Sequence, residues 1–311
     1  MVSAIFRAKW LKRATTAILV LVILFAGSVA VLSLSVRGRA VIGVGFVRSA
    51  HFWSLRWPIE RGRHVLFRLI PLMTKLGAVP VRLEFEPGVV LFLDPLDYIQ
   101  RLIVIEKGWQ PEVLQAIESG LSVGSVFLDV GANIGYDTIR ACKRVGKGGL
   151  VVAFEPSPIA LQQLRTNLAA SSAINVIVQP IACTDREQTI TLYEGDISEL
   201  ASLASRNAGG RDHHFSFTVR GRPIDNVVHD LRLERIDVIK IDVEGAEFLV
   251  LKGAMQTLHR FHPKLIIEIN PDKLAGMGSK AEDVISLIKE AGYNDSKQLD
   301  ITDWEWSTKK Q

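Results

Sequence analysis

The chain has 311 residues, 48% hydrophobic and 23% charged, the make-up of a globular protein with a sizeable core in one large domain or two small ones. Its formal net charge of +4 is unevenly placed: from Arg7 to Lys75 the ionisable residues are almost all Arg or Lys, with Glu60 the only acid. The remainder is slightly acidic, which argues against a nucleic-acid-binding surface on the main domain, and Cys142 and Cys183 lack the spacing of a disulfide framework or zinc site.

In chain order, residues 1–13 form a basic tail. Ala14 to Val36, ATTAILVLVILFAGSVAVLSLSV, holds no charge. As a helix it rises about 34 Å, enough to cross a ~30 Å hydrocarbon core. A cleaved signal peptide is the alternative, with Lys9–Arg13 in its basic region and SVA ending at Ala30 as the cleavage site. The apolar run continues past Ala30, so an uncleaved transmembrane helix at 14–36 is expected. Arg7, Lys9, Lys12 and Arg13 before the span balance Arg37, Arg39, Arg48 and Arg56 after it, and charge leaves the orientation open. Residues 37–78 are basic and rich in Trp, Phe and Leu, which fits either an interfacial segment or a helical linker.

From about residue 79 to 311 the pattern is that of a compact α/β domain. VRLEFEPGVVLFLD alternates around Pro87-Gly88 as a β-hairpin, and Tyr98 to about Ser119 is mostly helical. Apolar strands follow at Ser125–Val130, Leu150–Glu155, Ala173–Pro180, Val238–Asp242 and Lys264–Ile269. Helices lie between and after them at Gly135–Val145, Pro158–Ser171, Gly245–Leu258 and Ala281–Gly292. That alternation predicts a mostly parallel sheet covered on both faces. TITLYEG and FSFTVRG are expected as extra antiparallel strands flanking a Ser/Gly/His-rich loop, Ser198–His214. DITDWEW, with Trp304 and Trp306, is expected to close a terminal strand.

Ligands of such sheets bind beyond the carboxyl ends of the strands. VFLDVGANIGYDT, Val126 to Thr138, runs from strand to loop to helix at that edge. Gly131 and Gly135 allow close backbone approach, but Asn133 stands where a dinucleotide fingerprint has its second glycine. Asp129 at the strand end would repel a pyrophosphate and suits a ligand with an ammonium or sulfonium centre. Twenty residues after Gly135, Glu155 ends the second strand, placed to accept hydrogen bonds from both hydroxyls of a ribose. Nicotinamide enzymes share that acid, so it points to an adenosine-type ligand without naming it.

FLDVGANIGYDT, VVAFEPSP, IDVIKIDVEGAEFLVLKGA and PKLIIEIN, in this order and spacing, resemble the FkbM family of S-adenosylmethionine-dependent methyltransferases. The resemblance covers roughly Val81 to Tyr293. It implies a Rossmann-like three-layer sandwich with a mostly parallel seven-stranded sheet whose last strand is antiparallel. It also implies S-adenosyl-L-methionine as cofactor and an acceptor hydroxyl on a sugar, glycolipid or polyketide-like metabolite. By the same resemblance Asp129, Gly131, Ala132, Asn133 and Gly135 would border the methionine part of the cofactor. Glu155 and Pro156 would lie at the ribose, and Ala182, with Ile181, at the adenine, with Asp185 a candidate for its edge.

Methyl transfer to a hydroxyl needs an in-line approach and a proton acceptor. In KIDVEGAE, period two puts Lys240, Asp242 and Glu244 on one side, the two acids at the ligand edge. Lys240 sits in an apolar strand and is expected to pair with Asp129 or Asp242. Glu268 and Asn270 end the next strand. Asp242 is the expected general base or hydroxyl anchor and Glu244 the second candidate, with Lys240 and Glu268 beside them. A magnesium site of Asp242, Glu268 and Asn270 is a variant that ranks below structural hydrogen bonding, so no metal is expected. His213, His214, His229, His259 and His262 have no carboxylate at a telling spacing.

The reading is therefore a membrane-anchored O-methyltransferase. Since adenosylmethionine is made in the cytosol, the domain is expected on the cytoplasmic side, working on a small-molecule or lipid-linked glycan acceptor. An NAD-dependent oxidoreductase and a non-catalytic membrane-tethered adenosylmethionine-binding protein are the alternatives.

Overall fold

The computed structural model describes residues 44–49, 80–106, 108–194 and 215–308. Two compact units are distinguished, residues 1–81 with 93–96, and residues 82–92 with 97–311. The first contributes a helical segment at 44–49 to the described residues. Among the described residues no helix is long and apolar enough to cross a membrane. This overturns the expected single-pass membrane localisation with a cytoplasmic domain. The span expected at 14–36 lies outside the described residues, as does most of 37–78. The membrane partner and the lipid-linked acceptor rested on that span, and nothing among the described residues supports them.

The elements of the α/β domain begin with the expected hairpin, β1 (Val81–Glu86) and β2 (Val89–Leu93). The helical stretch after it is two helices, α1 (Tyr98–Glu106) and α2 (Pro111–Gly120). Pro111 supplies no N–H and therefore starts a helix well, while Gln110 before it is left-handed at φ 41°. Next come β3 (Val126–Val130), α3 (Tyr136–Val145), β4 (Leu150–Phe154), α4 (Pro158–Ala170) and β5 (Val176–Gln179). Ser157 caps α4 by accepting from the Ala160 N–H at 3.2 Å. The chain then leaves the main sheet for β6 (Ala182–Cys183), β7 (Gln188–Glu194) and β8 (Phe215–Arg222), which form a separate three-stranded sheet ordered β6-β8-β7.

Helix α5 (Ile224–Asp230) leads to β9 (Val238–Ile241), and α6 (Glu247–Lys252) and α7 (Met255–Phe261) follow. These last two were expected as one helix. Gly253 lies between them, its backbone against the Thr184 carbonyl, where a Cβ would collide. β10 (Lys264–Glu268), α8 (Pro271–Gly276), α9 (Ala281–Glu290), β11 (Asp295–Gln298) and β12 (Asp303–Ser307) complete the chain.

Seven strands form the main sheet in the order β11-β12-β10-β9-β3-β4-β5. The five from β10 to β5 run parallel, and β12 is antiparallel to both its neighbours. Strand residues alternate between two cores. Phe127, Val151, Val238 and Ile266 pack with Val113 and Ile117 of α2 and Ala141 and Val145 of α3. Leu128, Val152, Ile239, Leu265 and Ile267 pack with Val227, Val250, Leu258 and Ile288 from α5, α6, α7 and α9. Each buried aliphatic side chain stabilises by roughly 1.5–3 kcal/mol, so these two cores hold the layers together. The result is a Rossmann-like three-layer sandwich. On the α2/α3 face the same period carries Asp129, Lys240 and Glu268, which places charge at the carboxyl edge of the sheet.

Candidate active site

The carboxyl ends of β3, β4, β9 and β10 surround a cavity of about 300 Å³. Its wall follows the order of the strands. Glu155 and Pro156 stand at the end of β4, and Gly131, Ala132 and Asn133 follow β3. Lys240, Asp242 and Glu244 stand at the end of β9, and Glu268 at the end of β10. Ala182 and Cys183 line the cavity from the small sheet. This strand order brings together four segments that are far apart in the chain.

The loop after β3 has unusual backbone geometry. Gly131 is at φ 90°, and a Cβ there would collide with the Asp242 carbonyl oxygen. Asn133 is left-handed at φ 48°, a conformation that Asn tolerates better than most residues. Its N–H donates to Glu155 Oε2 at 2.7 Å, and the Ser157 N–H donates to Oε1 at 2.8 Å. Each carboxylate oxygen thus accepts from a backbone N–H, and Glu155 is held rigid at the cavity wall. Asn133 Oδ1 is buried and without a partner in the same wall.

Asp129 and Gly135 stand behind the loop. Asp129 is fully buried, accepts from Thr138 Oγ1 at 2.5 Å and is absent from the cavity wall. Burial raises its carboxyl above the usual range, against the pull of Lys240. Gly135 is at φ 88° and packs on Leu164. Asn167, also fully buried, ties the loop to the hairpin: its Nδ2 donates to the Ile134 carbonyl at 2.9 Å and its Oδ1 accepts from the Phe92 N–H at 2.7 Å.

Lys240 is opposite Asp129 in the strand register but does not bond to it. Its ammonium pairs with Asp137 Oδ2 at 3.2 Å and Asp242 Oδ2 at 3.3 Å. Burial alone would lower the Lys240 pKa, but Asp242, Asp137 and Asp129 outweigh it and hold it well above the ordinary value. Lys240 is therefore a fixed cation and does not take up a proton.

A second cation stands at the β10 end. Lys273 Nζ is 2.9 Å from Glu268 Oε1 and 3.0 Å from Glu244 Oε2. Burial raises the Glu244 carboxyl, with Asp242 adding to the rise and Lys273 opposing it. Glu268 is raised by burial and by Asp242. The magnesium arrangement is not formed, for Asn270 instead caps α8, accepting from the Asp272 and Lys273 N–H groups at 3.1 and 3.3 Å. Among the described residues no group of three His, Cys, Asp or Glu side chains is placed to hold a metal ion. Asp185 pairs with Lys252 at 3.6 Å and Arg186 at 3.8 Å, away from the cavity wall.

Several cavity residues have no counterpart in the motif reading. Asp137 lies inside VFLDVGANIGYDT, in the first turn of α3. Lys273 follows Glu268 by five residues, past Pro271, where strand periodicity no longer applies. Trp109 and Gln110 come from the α1–α2 linker and Thr302 from the turn before β12. Gln110 Nε2 donates to Asp303 Oδ2 at 3.0 Å, and its Oε1 is buried without a partner. Burial raises the Asp303 carboxyl to about 7.

Residues 129–294 match the family model of the methyltransferase FkbM domain. The chain is 26% identical over 242 residues to the AMB antimetabolite synthetase AmbE of Pseudomonas aeruginosa, a match covering 68% of this chain and 11% of that protein. It is 30% identical over 183 residues to the hexuronic acid methyltransferase AglP of Haloferax volcanii, covering 58% of this chain and 69% of the relative. It is also 30% identical over 146 residues to the 2-O-methyltransferase NoeI of Sinorhizobium fredii, covering 43% of this chain and 58% of the relative. The chain thus spans a small fraction of AmbE and little more than half of NoeI.

Proposed function

Because the chain belongs to the FkbM methyltransferase family, a family of S-adenosylmethionine-dependent enzymes, we propose that this protein methylates a hydroxyl of a sugar or related small metabolite. The observation that carries the reading is the order of groups along one cavity edge: Glu155, the 131–133 loop, Asp242, then Glu268. The sugar-type acceptor draws support from the relatives named as a hexuronic acid methyltransferase and a 2-O-methyltransferase.

The residues present suit the cofactor. Glu155 offers a rigid carboxylate for two ribose hydroxyls, and Gly131 leaves backbone open at the cavity. Asn133 Oδ1 is an unpartnered acceptor in the same wall, available to an ammonium or amide donor. When bound, adenosylmethionine supplies an activated methyl group on a cationic sulfur.

In this reading the chain's own residues position the acceptor and move its proton. Asp242, held in place by Lys240, accepts the hydroxyl proton as the oxygen attacks. Glu244, held by Lys273, flanks Asp242 on the acceptor side of the cavity. Lys273 keeps Glu244 and Glu268 in register. Asp129, Thr138 and Gly135 fix the loop on which the cofactor rests.

The test is calorimetry of the full chain with adenosylmethionine, adenosylhomocysteine and NAD, followed by labelled methyl transfer to a panel of hydroxyl acceptors. Binding of NAD alone would remove the methyltransferase reading. Adenosylmethionine binding without transfer to any acceptor would favour the non-catalytic alternative.

A further inference from the structure

The strand order separates the cavity into a cofactor end and an acceptor end. β4 and β3 carry the groups assigned to the cofactor, so the space at β9 and β10 is left for the molecule that receives the methyl. The character of that end is distinctive. Its cations among the described lining residues are Lys240 and Lys273, and each is already clamped between two carboxylates. Neither ammonium has charge left uncompensated for a third carboxylate.

The groups facing such a ligand are mostly hydrogen-bond acceptors. Asp242 and Glu268 bring carboxylate charge to this end. Gln110 adds an independent observation: its Nε2 is committed to Asp303, while its Oε1 is buried with no partner. That amide oxygen needs a donor, which a hydroxyl or an ammonium supplies and a carboxylate does not. A carboxylate placed here would meet the like charge of Asp242 and Glu268 and the unpartnered Gln110 Oε1 in a site partly withdrawn from water.

We infer that the acceptor end of the cavity selects a neutral or amine-bearing polyol and discriminates against a sugar that carries a carboxylate. The inference rests on the proposed methyltransferase reading and narrows its substrate class. It also separates this chain from a relative whose name specifies a hexuronic acid.

The experiment uses the full chain saturated with adenosylhomocysteine, titrated calorimetrically with three probes: methyl glucoside, protonated methyl glucosaminide and methyl glucuronide. The glucoside and the glucosaminide are expected to bind, and the glucuronide at least tenfold more weakly. Glu268→Gln leaves Lys273 undercompensated and is expected to narrow that gap severalfold. Asp242→Asn, which leaves Lys240 undercompensated, serves the same purpose if the first variant does not fold. Glucuronide binding as tight as that of the glucoside overturns the inference, and so does binding of none of the three probes. If adenosylhomocysteine itself does not bind, the methyltransferase reading fails first and takes this inference with it.

Discussion

The backbone of Gly131 rests directly on the carbonyl oxygen of Asp242, with no room between them for a side chain. The loop expected to hold the cofactor and the residue expected to take the proton are therefore in contact. Gly131→Ala forces a displacement at that contact and also strains a residue at φ 90°. Strain of this kind costs roughly 1–3 kcal/mol. The expected outcome is a lower Tm and lost adenosylhomocysteine binding, read by thermal unfolding and calorimetry. Gly148→Ala, where a Cβ meets nothing within 4 Å, is the control, expected to stay within about 0.5 kcal/mol of the parent.

Asp242→Asn is expected to lower kcat roughly 10²- to 10⁴-fold while changing adenosylhomocysteine affinity little. Glu244→Gln is expected to cost less, since the partner of Glu244 is Lys273, at 3.0 Å. Steady-state rates with a hydroxyl acceptor that the parent enzyme methylates decide the order. A fully active Asp242→Asn beside an inactive Glu244→Gln would transfer the role of base to Glu244.

Lys240→Met leaves Asp137 and Asp242 without their common cation in a buried setting. Removing one partner of a buried ion pair costs roughly 3–5 kcal/mol. Adding Asp137→Asn to Lys240→Met should restore part of that loss, because one of the stranded charges is gone. A double-mutant cycle by chemical denaturation measures the coupling, and strictly additive effects would contradict it.

Glu247 gives a pH signature. Its Oε1 accepts from the Val243 and Gly245 N–H groups at 3.1 and 3.2 Å, and burial pushes the carboxyl up from 4.5 to about 7. The native state then binds this proton more tightly than the unfolded chain does. Its contribution to stability is complete below about pH 4.5 and is lost as pH rises through about 7, a loss on the order of 3 kcal/mol. Glu247→Gln keeps an oxygen toward both N–H groups and should flatten that slope. Parallel denaturation profiles for the two proteins between about pH 5 and 8 would show that the group titrates normally.

The parallel strands were legible because their burial on both faces leaves near-continuous apolar runs, as in VIKI and LVVAF. The motif residues were legible for the same reason, each being a charge or a glycine at the end of such a run. β11 was not, for all four residues of DSKQ are exposed and no apolar alternation marks them. α6 and α7 part at Gly253, which packs on the Thr184 carbonyl, distant in sequence and close only after folding. Asp137, Lys273 and Gln110 escaped for a similar reason: each joins the cavity through a partner on another element. The pairing of Lys240 was half anticipated. Asp242 is a partner, but Asp129 turns to Thr138 and Asp137 takes its place.

The small sheet gives the cavity a wall that the main sheet does not own. Ala182 pairs with Gly221 and Cys183 with Arg222, only three residues after the chain leaves β5 at Gln179. A molecule filling the cavity therefore touches two sheets joined at that point by Pro180 and Ile181, and acts as a rivet across the seam. Amide hydrogen exchange should register this at a distance. With adenosylhomocysteine bound, protection is expected to rise along β7 and β8, out to Thr191 and Thr218, residues that face no part of the ligand.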